Sequence, residues 1–483
     1  MQRLESPVQA LASITRMPSP GRRRWLRWVL VAVGVGLLLA AGAVAAIILH
    51  SPGNVSHPNV EFTAPTTTTT TTTATAPKRK KAVDNFQWPR YGYDLARTRD
   101  FPNSSRLDPP LHRGWKYNDG ALLEFPPVIY QNTLYLIDDN GSARAVNKLN
   151  GHEIWKHKVG TLAAASPTFD ARHHLVFVPL LSAHGSHPGD GRFLALSMKT
   201  GRVVWTHIVG AGTETSPTVV GNAVFYGDTV GNLVSLRTSD GHVNWVYHAS
   251  GAIKGGPAYA DGNLYFGDYS GHAYAVNANS GHQVWRVGTN GTHFGFGSGN
   301  FYSSAAVAFG RVYLGNTDGR VYSFAERTGQ LAWATGTGAY VYSSPAVAEV
   351  PGLGPTVYIG SYDGNFYAFD ARSGAVRWRH SAGGRISGSP TIIGDVVYYS
   401  NLGSKTTAGL NVRTGQKVFA FSDGAFNPAI ADPSAIYMVG YGAIYQFLPK
   451  SSKPAAHAAA RKAKVKHKVK RKAKRRARSQ QHK

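Results

Sequence analysis

Cysteine is absent from all 483 residues, which excludes disulfides and every cysteine-based metal or nucleophile site. No cysteine follows the N-terminal apolar run, so a lipid anchor on that residue is excluded as well. Acids are scarce, 26 against 52 Lys and Arg, and the formal charge is +26. That imbalance belongs to the ends of the chain. Residues 450–483 hold 15 Lys or Arg and no acid, while residues 1–28 hold six Arg and one Glu. The long middle is nearly neutral, so the high isoelectric point is no argument for nucleic-acid binding by a folded domain. Glycine, by contrast, is abundant, with 54 residues, and 11% of the chain is aromatic, which suits short strands and turns more than helices.

Charge is also missing from Trp28 to Leu49, an apolar run of 22 residues. At about 1.5 Å per helical residue it spans the roughly 30 Å hydrocarbon core of a bilayer. Arg22, Arg23, Arg24 and Arg27 precede it, whereas His50 to Pro65 has no Lys or Arg. This asymmetry predicts a cytoplasmic N-terminus (1–27), a transmembrane helix (28–49) and an extracytoplasmic remainder, hence a single-pass cell-membrane protein. A cleaved signal peptide ending near Ala43-Val44-Ala45 is the competing reading. The unbroken threonines Thr66 to Thr73, between Pro65 and Pro77, have nothing to bury. They predict a disordered Thr/Pro-rich linker over 50–85 that lifts the rest from the membrane.

A repeat organises residues 86–449. In GSYDGNFYAFDARSGAVRW, Gly360 to Trp378, a small residue is followed six positions on by Gly and four later by Trp. Ala145/Gly151/Trp155, Ala195/Gly201/Trp205, Ser235/Gly241/Trp245, Ala275/Gly281/Trp285, Ser323/Gly329/Trp333 and Ala368/Gly374/Trp378 fit, and Gly409/Gly415/Phe419 is a degenerate copy. The period of 40 to 50 residues, made of short strands and Gly turns, predicts an all-β, eight-bladed β-propeller. Each tryptophan is expected to wedge between blades, with the preceding glycine in a turn of positive φ. Trp115 has no motif before it, and residues 427–448 have no aromatic anchor after them. These two halves are expected to complete one closing blade.

Inner strands begin at Ser166-Pro167, Ser216-Pro217, Gly256-Pro257, Ser304-Ala305, Ser344-Pro345, Ser389-Pro390 and Asn427-Pro428. Two positions earlier stand Ala164, Glu214, Lys254, Tyr302, Tyr342, Ser387 and Ala425, which should ring one mouth of the central channel. Glu214, Lys254, Tyr302, Tyr342 and Ser387 are therefore the candidate ligand- or partner-binding residues. The alternative is a Glu214–Lys254 pair that only neutralises itself. An insertion at 179–191 carries His184, His187 and Asp190 beside His173-His174, and a solvated loop competes with a metal site there. A second insertion, bearing Phe294 and Phe296, spans 289–300.

These motifs resemble the tryptophan-docking repeats of the PQQ-like, quinoprotein-type propellers. Phe366-Tyr367-Ala368-Phe369-Asp370 and Tyr274-Ala275-Val276-Asn277 match closely, and WPRYGYDLART (Trp88 to Thr98) is similar to the segment that often precedes the first blade in such proteins. The resemblance implies either a non-catalytic protein- or glycan-binding scaffold or a PQQ-dependent dehydrogenase with calcium and a carboxylate base. The adjacent Cys pair that grips the quinone in the alcohol-oxidising members is missing, and every repeat Trp is taken by docking. The expectation is thus a scaffold without catalysis, cofactor or metal, with a sensor or adhesion ectodomain as a further alternative. Its partners would be an envelope protein or glycan at the mouth, the membrane through Trp28 to Leu49, and polyanions (wall polymer, anionic lipid, less readily nucleic acid) through the basic tail.

Overall fold

The computed structural model describes residues 28–38, 53–64, 85–102, 107–185, 190–289 and 299–450. Eight sheets carry the repeat. Blades 1 to 7 cover 128–158, 168–210, 218–248, 258–288, 306–336, 346–381 and 391–421, each with four antiparallel strands in chain order from the channel outward. Blade 8 takes three strands from 429–449 and its outermost, Leu111–Asn118, from the start of the propeller. The ends of the domain therefore close the ring, as expected. The middle strands, such as Gly354–Gly360 and Asn365–Asp370, are mostly buried between neighbouring blades.

The docking motif works across the blade junction. Within a blade the small residue pairs with the tryptophan, Ala368 opposite Trp378, and a bulge follows it at the same point in blades 1 to 7. The indole N–H then donates to a carbonyl in the next blade: Trp155 to Met198 at 3.0 Å, Trp285 to Glu326 at 2.8 Å, Trp333 to Ala371 at 2.9 Å. The ring lies on that blade's motif glycine. A Cβ on Gly374, at φ +74°, would stand 2.6 Å from the Trp333 ring, so this glycine is required by a close approach as well as by its turn.

The channel is filled by residues 86–101. Gln87–Trp88 adds to the inner edge of blade 1, and Asp100–Phe101 runs parallel to the inner strand of blade 7. Between them the carbonyls of Leu95, Ala96, Thr98 and Arg99 accept the N–H groups of Tyr259, Val307, Val347 and Ile392, from the inner edges of blades 4 to 7. Arg97 is fully buried and donates to the carbonyls of Tyr91, Ser216 and Pro257 and to the Thr218 hydroxyl at 2.6–2.9 Å. The segment that resembles a blade-one preface is thus an axial plug.

One expectation for the N-terminal region needs correction. Residues 54–64, assigned to the disordered linker, are part of the propeller: Val55–Ser56 forms a fifth, outermost strand of blade 5, opposite Ala334 and Trp333. Val60 and Phe62 pack on the core between blades 5 and 6, and Arg372 Nε donates to the Pro58 carbonyl at 3.0 Å. The polar composition of the longer stretch hid these two apolar residues. Both flanks of the Thr-rich run therefore sit on the propeller, so the run links two parts of one domain rather than leading up to it. Within the apolar segment residues 28–38 are helical, and among the described residues no helix is long and apolar enough to cross a membrane. The remainder of the expected span (39–49), the segment 1–27, residues 65–84, most of the 289–300 insertion and the tail beyond 450 lie outside the described residues.

The junction contact has a controlled test. Gly352 and Gly374 share a left-handed φ, but a Cβ at Gly352 meets nothing within 4 Å. Gly352→Ala should cost about 1–2 kcal/mol of backbone strain. Gly374→Ala should cost roughly a further 1–3 kcal/mol from overpacking against Trp333. Denaturant midpoints of the two variants read the difference; equal midpoints would remove the ring–glycine contact from the account.

Candidate functional site

Above the plug, the starts of the inner strands are tied into a belt. The N–H of Ser304 donates to the Ser344 hydroxyl, that of Ser344 to the Ser389 hydroxyl, and that of Ser389 to Asn427 Oδ1, at 2.8–3.1 Å. Asn427 Nδ2 continues to the Glu124 carbonyl, and the Ser166 hydroxyl donates to the Pro126 carbonyl. The Ser-Pro signal thus marks a blade-to-blade hydrogen bond as well as a strand start. Blade 4 departs from it because a Cβ at Gly256 would meet the Arg97 guanidinium at 2.6 Å.

The belt floors a narrow funnel with a cavity volume of about 30 Å3. All five sequence candidates line it: Glu214, Lys254, Tyr302, Tyr342 and Ser387. Lys254 Nζ donates to Glu214 Oε1 at 2.8 Å and lies 5.0 Å from the Tyr269 ring centre and 5.9 Å from that of Tyr302. The ion pair exists, and it is set into an aromatic wall. Tyr302 meets Tyr342 edge-on at 5.4 Å, and Tyr342 meets Tyr362 at 4.8 Å and Tyr340 at 6.0 Å. The exposed Arg385 stands 5.7 Å above the Tyr362 ring. Tyr340, at 54% exposure, carries this wall out to the surface.

The opposite side of the funnel is acidic. Glu124 precedes Pro126 by two positions, the register of the other candidates, and lines the funnel beside Tyr91 and Phe125. Burial pushes its pKa up to about 7, with the charges of Asp139 and Glu214 adding to the rise and Lys254 opposing it. Asp139 is raised to about 6, chiefly by burial. Burial also holds the Tyr302 hydroxyl well above the ordinary phenol range.

Sequence reasoning reached the residues before the inner strands and missed those in the next turn. Asp139, Tyr269 and Tyr362 occupy one position of the turn joining the second and third strands, and those turns return to the same face. Reading that register alongside the first would have found them. Tyr91 was missed because the plug was not expected. Ala164 and Ala425, of the same register, do not line the funnel, whereas Phe426 does. In the 179–191 insertion, His184 Nδ1 lies 2.5 Å from Asp190 Oδ2, and on the preceding turn His173 Nδ1 lies 2.8 Å from Asp170 Oδ2; His187 lies outside the described residues. Among the described residues no three His, Asp or Glu side chains group as metal ligands.

The family model described as outer membrane protein assembly factor BamB matches residues 112–250, 189–341 and 317–448. No curated protein matches the chain. Among solved structures, BamB from Moraxella catarrhalis aligns at 16% identity and TM-score 0.56, over 71% of this chain and 99% of that one. A europium-containing methanol dehydrogenase aligns at 13% identity and TM-score 0.62, over 75% and 98%. The computationally designed Ika8 protein aligns at 14% and 0.54, over 71% and 99%. At these identities the structural likeness concerns the fold alone.

Within the funnel, the Glu214 carboxylate is already paired with Lys254.

The raised carboxylates set a pH dependence of stability. Asp100 in the plug is pushed up to about 7 by burial and by Asp94, and Glu326 to about 7 by burial, Asp261 and Glu61. With Glu124, these groups hold protons in the folded chain that the unfolded chain releases above its ordinary carboxylate range, so stability falls as pH rises towards 7 and levels off above it. His207, His272 and His380, whose pKa values burial lowers, act in the opposite sense but are fewer than the raised acids. The denaturant midpoint should be higher at pH 5 than at pH 8, and Asp100→Asn should flatten the slope. A midpoint that rises over this window would contradict the raised values.

Proposed function

We infer the function from one premise: the chain belongs to the PQQ-like propeller family whose model is described as outer membrane protein assembly factor BamB. We propose a non-catalytic scaffold, anchored through residues 28–49 with its N-terminus cytoplasmic and its propeller outside. Its mouth binds a protein or glycan of the cell envelope. The observation that carries this reading is the tyrosine wall. Tyr302, Tyr342, Tyr362 and Tyr340 touch one another in sequence from the funnel to the surface, with Lys254 and Arg385 over their faces. Tyrosine and arginine give rigid contact area with polar tips, the chemistry that dominates protein interfaces. Rings of this kind also stack on sugars, so the glycan stays within the reading.

The plug supports a scaffold over a conduit, because the axis is packed with Trp88, Arg97 and Arg99. Dehydrogenase chemistry is the weaker alternative, since Glu214, a carboxylate of the funnel, is already paired with Lys254. The basic tail is proposed to hold acidic wall polymer or anionic lipid by charge alone.

The test is capture from envelope extract by the purified full-length chain, beside a PQQ-plus-calcium titration followed by absorbance. Tyr342→Ala should reduce capture of the retained species at least about tenfold, as for an interface hot spot. Undiminished capture by that variant would move the site away from the mouth, and saturable quinone binding with dye reduction by an alcohol would replace the scaffold with an enzyme.

A further inference from the structure

The funnel holds one carboxylate without a counter-charge. Lys254 is spent on Glu214, while the Glu124 side chain has no hydrogen bond or ion pair among the described residues. The charged groups acting on Glu124 are Asp139 of blade 1, Glu214 of blade 3 and Lys254 of blade 4, two acids against one base. Of the remaining neighbours, Tyr302 faces it as a neutral phenol, Tyr91 and Phe125 supply rings, and blade 8 offers the neutral Asn427. A partly buried carboxylate with surplus acid charge beside it, in a pocket lined by aromatic rings, is an environment that draws a cation out of water through charge pairing at its tip. Size makes the selection sharper. A cavity of about 30 Å3 holds one or two waters, room enough for a single ammonium or guanidinium tip.

From this geometry we propose that the funnel is a socket for one cationic side chain, a lysine or arginine presented by a partner polypeptide, with Glu124 as its counter-ion. The proposal rests on the mouth-binding reading and names the chemistry of its partner. Arg385, exposed above the Tyr362 ring, then acts on the rim, where it orients the acidic or polar residues flanking the inserted cation. Because only the ionised Glu124 attracts a cation, binding strengthens as pH rises through about 7 and weakens below it.

The probes are butylammonium and methylguanidinium chloride, with butanol as the neutral isostere of the first and sodium chloride at matched ionic strength as the salt control. The thermal midpoint of the full-length chain is measured against each at pH 6 and pH 8. The cations should raise the midpoint where butanol and sodium do not, with an apparent affinity about tenfold higher at pH 8, the ratio of ionised Glu124 at the two values. Glu124→Gln should abolish the gain and its pH dependence, while Glu124→Asp should keep a reduced gain. A cation gain no larger than the butanol and sodium controls, or one that survives in Glu124→Gln, overturns the socket. That failure is separate from failure of the mouth reading, which is registered by Tyr342→Ala in envelope capture.

Discussion

Everything in the ring depends on an indole lying flat on a glycine one blade away. A four-stranded sheet cannot bury both its faces alone, so each blade is stable only against its neighbours. The tryptophan makes that contact specific in three ways. Its ring covers a backbone with no Cβ, its N–H satisfies a turn carbonyl, and its partner across the strand is small enough to let it lie down. The glycine is thus bound twice over, by the left-handed turn of its own blade and by the ring of the blade before.

A ring of eight leaves a hole, and inner strands facing a hole would have unpaired backbone groups. The plug resolves this with backbone on some blades and guanidinium on others. Blades 4 to 7 receive carbonyls from Leu95 to Arg99, while Arg97 and Arg90 take up carbonyls of blades 3 and 4. Arg99 lies 4.4 Å over the Tyr91 ring, and Tyr91 in turn bonds Ser389 and Asn427 of the serine belt. The floor of the funnel is therefore built from the plug, and the site's shape is inherited from the same residues that close the axis.

The fold was legible because its signal is periodic: a small residue, Gly and Trp at fixed offsets, repeated with little drift. The mouth was legible for the same reason, since Glu214, Lys254, Tyr302, Tyr342 and Ser387 share one register. What escaped the sequence is what occurs once. Nothing repeats the plug, so nothing in the sequence marks its three arginines as axial, although Arg97 is fully buried. Nothing repeats the strand Val55–Ser56 either, and the two apolar residues after it were outweighed by the threonines beyond. Tyr269 and Tyr362 are periodic, but in the turn register, whose return to the mouth is a property of the three-dimensional hairpin.

The one degenerate motif follows from chain closure. Each tryptophan docks on the turn between the third and fourth strands of the next blade, as Trp378 does on Val412 and Gly415. Blade 8 has no such turn, because its third strand ends at Pro449 and its fourth is Leu111–Asn118 from the other end of the domain. An indole at position 419 would have neither glycine nor carbonyl to meet. Phe419 stands there instead, edge-on to Phe447 at 5.5 Å. The next junction is reinforced: Trp115 donates to the Lys148 carbonyl at 2.9 Å, and Lys148 Nζ makes a buried ion pair with Asp432 at 2.8 Å. A buried pair is costly to break from either side, which suits the seam where two distant stretches of chain must find one register. The loss of one tryptophan and the gain of one ion pair are two consequences of the same discontinuity.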